Sequence, residues 1–156
     1  MAVVRGCAFP DDLAYDEDLN LWFRDVGAGI WDVGMTEFGA LRAGEIYMFN
    51  PRPVGREVEA GRAFAVIEVA KTVLAIRCPF DCTIEAANEA LTLRPTPLNQ
   101  DPYGNWLCRL AAASAGACQD ARDRLIQGDA VIPRAIALMD LSAFEGPQRE
   151  GPGAPP

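Results

Sequence analysis

Lys71 is the single lysine in a chain that carries thirteen arginines. On a solvated surface the two cations exchange readily. Only the lysine amine can be acylated, so a lone lysine against that background points to amine chemistry. It sits in FAVIEVAKTVLAIRC, residues 64–78. The runs on either side are rich in Val, Ile, Phe and Thr. Only Ala70 and Lys71 separate them, which is the spacing of a two-residue hairpin turn. Such a hairpin puts the lysine at a loop tip, pointing away from both sheets, with rigid strands as its base. Phe64, Val66 and Glu68 then share one face, and Ala65, Ile67 and Val69 the other. Apolar residues on both faces place these strands between layers, with Glu68 near the exposed end. The competing reading is a solvated turn lysine in an arginine-rich composition.

Other chemistries are excluded. The chain has no histidine, so it lacks the commonest general base and any histidine-based triad. Its five cysteines (Cys7, Cys78, Cys82, Cys108 and Cys118) are scattered and form no Cys-x-x-Cys pair. No metal site is expected, and reduced thiols are the expectation, Cys78 and Cys82 included. Asp11, Asp12, Asp16, Glu17 and Asp18 lack the ligand spacing of a calcium loop and read as a solvated acidic face. The net charge of −8 disfavours nucleic acid and anionic membranes and favours partners with basic docking surfaces. No apolar run reaches signal-peptide or transmembrane length, so the expected location is the cytoplasm.

The elements around the lysine follow from turn and cap signals. A length of 156 residues suits one domain, placed at 1–144, with a disordered Gly/Pro-rich tail at 145–156. LWFRDVGAGIWDVGM (21–35) predicts two strands around the Gly27–Gly29 turn. MTEFGALRAGEI (35–46) predicts a short helix with Thr36 as N-cap and Gly44 at its end. Further strands are expected at 45–50, 63–69, 72–78, after the turn at 79–82, and after the turn at Asp101-Pro102-Tyr103-Gly104. From about residue 111 the pattern is helical, broken at Gly128 and Pro133. Trp22, Trp31 and Trp106 read as core anchors.

From Tyr15 to Leu110 the chain resembles the H protein of the glycine cleavage system, a lipoyl-domain family. EVAKT resembles that family's Glu-Ser-Val-Lys-Ala motif, with Glu68 three residues before Lys71. ANEAL (87–91) and LNQDPYGNWL (98–107) resemble two further segments in the same order. The resemblance implies a mainly β, barrel-sandwich hybrid fold with two packed antiparallel sheets, a lysine-bearing hairpin and C-terminal helices. It also implies lipoic acid amide-linked to Lys71, with Glu68 read by a lipoate ligase or lipoyl synthase-type enzyme. The protein would be a monomeric carrier and not an enzyme. Two departures stand out. Cys82 occupies a position where the family has Gly, and Asn20-Leu21-Trp22 replaces a His-Glu-Trp.

The start, VRGCAFPDDLAYD, resembles a divergent branch, the lipoate-binding proteins of sulfur-oxidising prokaryotes, through Cys7, Pro10, Asp12, Leu13 and Tyr15. That resemblance implies a shuttle of sulfur-containing groups and electrons, working with a heterodisulfide-reductase-like complex in cytoplasmic thiosulfate oxidation. Cys7 and Cys82 are then candidate accessory thiols near the arm, and Cys78 reads more simply as a small buried hydrophobe. The alternatives are a glycine cleavage carrier of the aminomethyl group and an unlipoylated regulatory or scaffold homologue.

Overall fold

The computed structural model describes residues 1–147; the expected tail beyond that point lies outside the described residues. A hairpin of β1 (Ala2–Val4) and β2 (Cys7–Phe9) opens the chain. It is followed by β3 (Ala14–Asp16), a 3-10 turn (Glu17–Leu19), β4 (Leu21–Gly27), β5 (Ile30–Met35) and helix α1 (Glu37–Ala43). Then come β6 (Met48–Pro51), β7 (Glu57–Val58), β8 (Ala63–Val69), β9 (Thr72–Arg77) and β10 (Cys82–Ala87). Short helices α2 (Glu89–Leu93) and α3 (Pro97–Gln100) precede β11 (Cys108–Ala112), and α4 (Ala115–Arg124) and α5 (Val131–Leu141) follow it. One antiparallel sheet has the order β3-β4-β5-β11-β10-β7, and a second has the order β6-β8-β9. The two sheets and C-terminal helices are the mainly β architecture that the sequence implied.

Strand alternation explains how one sheet serves two cores. Leu21 and Phe23 on β4 turn to one side, where they join Trp31, Val33, Phe49, Phe64, Ile67 and Phe80 between the sheets. Trp22 turns to the other side, among Val4, Cys7, Phe9, Tyr15, Phe38, Val131 and Met139. The six-stranded sheet is thus the wall between a main core and a second core closed by the β1–β2 hairpin and α5. Gly34 is the register partner of Trp22. A Cβ there would lie 2.3 Å from the indole, so the ring occupies the space a side chain would need. The indole Nε1 donates to the Pro102 carbonyl at 3.0 Å.

Three sequence expectations need correction. The first sixteen residues contain three strands that the sequence did not signal. Pro133 does not break a helix: it lies in the first turn of α5, where its missing N–H would have no intrahelical partner. The acidic run at 11–18 is not wholly a solvated face, because Asp16 and Glu17 are buried. Asp16 accepts from Leu19 N and pairs with Arg124 at 2.9 Å.

Candidate functional site

β8 and β9 pair from Ala63↔Arg77 to Val69↔Thr72, leaving Ala70 and Lys71 as the turn. Neither turn residue has positive φ, so the tip does not need the glycine or asparagine of a primed turn. Lys71 is exposed. Its amine has no hydrogen-bond or ion-pair partner among the described residues. β8 is the central strand of its sheet and buries Phe64, Ala65 and Ile67, which anchors the hairpin base. β9 is an edge strand, and Thr72, Val73, Leu74 and Ala75 are exposed. The expectation that both strands lie between layers therefore holds for β8 and fails for β9, whose other side has no strand.

Glu68 is half-buried on β8. Its register partners are Met48 on β6 and Val73 on β9, so all three share one face of the sheet. Met48 is 46% and Val73 54% exposed. The carboxylate thus stands within an apolar patch three residues from Lys71.

A groove of about 400 Å³ borders β9. Leu21, Ile67 and Leu74 are among its apolar lining, and Asp18, Arg42 and Arg77 are its charged residues. Asp18 is ion-paired with Arg134 of α5. Arg42 and Arg77 have no carboxylate partner among the described residues, and Arg77 donates to the Gly61 carbonyl at 3.0 Å. Asn20 also lines the groove. It closes the 3-10 turn with φ 58°, a left-handed conformation that asparagine tolerates. Its carbonyl accepts from Thr36 N at 3.0 Å, tying the groove wall to the start of α1. Leu74 lies three residues along the strand from Lys71, or about 10 Å.

The candidate accessory thiols lie elsewhere. Cys7 is buried in the second core and Cys82 in the main one. Burial, with the Glu37 carboxylate adding to it, pushes the Cys7 thiol up to about 11, well away from a reactive thiolate. Cys78 donates to the Phe80 carbonyl at 2.9 Å. Its thiol is raised by its interaction with the Cys82 thiol and by burial. All five cysteines are free. Cys82 has no positive φ, so replacing a glycine there causes no backbone strain. No cluster of metal-ligating side chains is present among the described residues. The groove, and the charges along it, were not apparent in the sequence, because they come from segments far apart along the chain.

A family model described as "Glycine cleavage H-protein" matches residues 13–130. The chain is 34% identical over 119 residues to "Glycine cleavage system H protein 5" of Aquifex aeolicus (strain VF5), covering 73% of this chain and 80% of that one. It is 32% identical over 131 residues to "Glycine cleavage system H protein 2" of the same organism, covering 83% and 80%. Among solved structures, a glycine cleavage system H protein from Mycobacterium marinum superposes with a TM-score of 0.67 at 24% identity. It covers 81% of this chain and 98% of that one, a likeness of fold.

Proposed function

The chain belongs to the glycine cleavage H-protein family, and from that premise we propose that Lys71 is its lipoyl attachment site and that the hairpin carries a group between partner enzymes. Proteins of this family carry covalent lipoic acid on a lysine and are carriers, not catalysts. One observation carries the assignment: the chain has a single lysine, and it stands exposed at a strand-anchored tip. The surroundings fit the group. The amine is unpaired among the described residues, and amide formation, which removes its charge, breaks no ion pair among them. When bound, lipoic acid supplies a dithiolane that opens by thiolate attack and bears cargo on sulfur.

The chain's own residues do the rest. β8 fixes the base, and the lysine stem supplies reach. Glu68, set between Met48 and Val73, offers a lipoate ligase or lipoyl synthase-type enzyme one charge in an apolar setting. The groove along β9 offers a loaded arm a place to lie. No helix among the described residues is long and apolar enough to cross a membrane.

The relatives' names support the aminomethyl group of glycine cleavage as cargo. The groove favours a second reading, a sulfur-containing group passed to a heterodisulfide-reductase-like complex in thiosulfate oxidation. An aminomethyl amine is cationic at neutral pH and calls for a free carboxylate. Among the described residues the only carboxylate lining the groove, Asp18, is already paired, while Arg42 and Arg77 are without carboxylates.

Two experiments test this. The intact mass of protein purified from its own cells should exceed the chain mass by one lipoyl group, and Lys71→Arg should abolish the increment. A bare wild-type chain would make the protein an unlipoylated scaffold. A deletion strain separates the cargoes: loss of thiosulfate oxidation supports the sulfur reading, and loss of glycine breakdown alone supports the aminomethyl one.

A further inference from the structure

We propose that the end of the β6-β8-β9 sheet remote from Lys71 is a docking site for an acidic surface of a partner protein, built by Arg52, Arg56, Arg62 and Arg77. Arg52, Arg56 and Arg62 line one shallow hollow of about 260 Å³. Arg77 joins them from β9, where its guanidinium donates to the carbonyl of Gly61, next to Arg62. Arg52 donates from Nε to the Ala63 carbonyl at 2.7 Å. These two backbone contacts hold their guanidinium groups in place and so reduce the entropy lost when a carboxylate is bound.

Four of the arginines without carboxylate partners among the described residues gather at this end; Arg24, Arg42 and Arg94 are the others. Arg5, Arg109, Arg122, Arg124 and Arg134 are each paired with an aspartate. None of the four arginines at this end has a carboxylate partner among the described residues, although Glu57 and Glu59 line the same hollow. In a chain of net charge −8, four exposed arginines without carboxylate partners among the described residues outnumber Glu57, Glu59 and Asp81 beside them, a local excess of positive charge. Val54, 60% exposed in the loop between Arg52 and Arg56, adds an apolar contact. The net charge disfavours a nucleic acid, which would be repelled by the rest of the surface. A protein presenting clustered Asp and Glu meets the arginines locally and is steered to them. Lys71 lies six strand residues from Arg77, or about 20 Å. A partner held at this end leaves the lysine tip free to visit other active sites. The purpose of the docking rests on the carrier reading; the docking itself does not.

The test is an NMR titration of the ¹⁵N-labelled full chain with a hexaglutamate peptide at low salt. Shifts should concentrate at residues 51–63 and 77, and affinity should fall as salt rises. The Arg62 side chain makes no hydrogen bond among the described residues, and its backbone bonds to Glu59 and Cys78 do not depend on the side chain. R62E should weaken binding about fivefold, while R94E, the same charge change at the end of α2, should alter it less than about twofold. Absent or scattered shifts would overturn the proposal. So would an R94E effect as large as that of R62E, or tighter binding of an oligonucleotide of equal charge at the same residues. Lipoylation, read by intact mass, is independent of all these results, so a failure here leaves the assignment of Lys71 standing.

Discussion

Glu17 is the one residue among those described whose buried side-chain oxygens lack any hydrogen-bond partner. It is 5% exposed. Burial pushes its carboxyl up from 4.5 to about 7; Arg134 opposes the shift, while Asp18 and Asp16 add to it. A carboxyl raised in the folded state favours the protonated fold. Its contribution to stability is fully present below pH 4.5 and is lost as pH rises through 7. Urea unfolding should therefore show a loss of roughly 2–3 kcal/mol from this group between pH 4.5 and pH 8. Glu17→Gln, neutral at every pH, should remove that slope and raise stability at pH 8; an unchanged slope would assign the pH dependence to other groups. Nothing in YDEDLN marks which carboxyl turns inward, because the 3-10 turn and left-handed Asn20 set the rotation. The exposed hairpin tip at Lys71, by contrast, was legible from the β-rich runs on either side of it. The thiols were half legible: their reduced state follows from composition, but the depth of Cys7 and Cys82 depends on which strand faces they occupy.

Elements with long runs or explicit caps were readable. β4, β5, β8 and β9 fall where their apolar runs predict, and Thr36 caps α1 by accepting from Gly39 N at 3.0 Å. Three-residue strands such as β1 and β2 are too short to display alternation. Helices α2 and α3, of five and four residues, are too short to display a helical period. Gly39 shows where local propensity and packing diverge. Alanine should favour the α1 helix by about 1 kcal/mol over glycine. A Cβ there, however, would stand 2.6 Å from Asn20 Cβ and 3.1 Å from its carbonyl oxygen. Asn20 cannot retreat without disturbing its left-handed backbone or its bond to Thr36, so the clash dominates. Gly39→Ala should cost a net of about 1–3 kcal/mol in chemical denaturation and shift the NMR signals of the groove lining. A stabilised variant would mean that α1 slides freely over Asn20.

Residues 1–12 and 131–147 lie outside the matched span of 13–130, yet they fold together. Arg5 donates to the Phe144 carbonyl at 2.9 Å and pairs with Asp140 at 2.6 Å. Val4, Cys7 and Phe9 from one end meet Val131, Ala135 and Met139 from the other, over Tyr15, Trp22 and Phe38. No sequence pattern announces this association, because it joins segments more than a hundred residues apart and depends on Trp22 being presented on the back of β4. It also sets the site. α5 holds Asp18 through Arg134, and Asp18 and Asn20 form the groove wall beside β9. A second core separated by a sheet from the first should open as its own cooperative unit. Met139 is fully buried there, and Met139→Ala removes packing worth about 2–5 kcal/mol. In native-state hydrogen exchange, the amides of β1, β2 and α5 should then lose protection together. Those of β5, β10 and β11, which face the main core, should keep theirs. Equal acceleration across both sets would show one indivisible core. Acceleration in α5 alone would show that the two ends are neighbours without being coupled, and the groove wall would then owe nothing to the N-terminal hairpin.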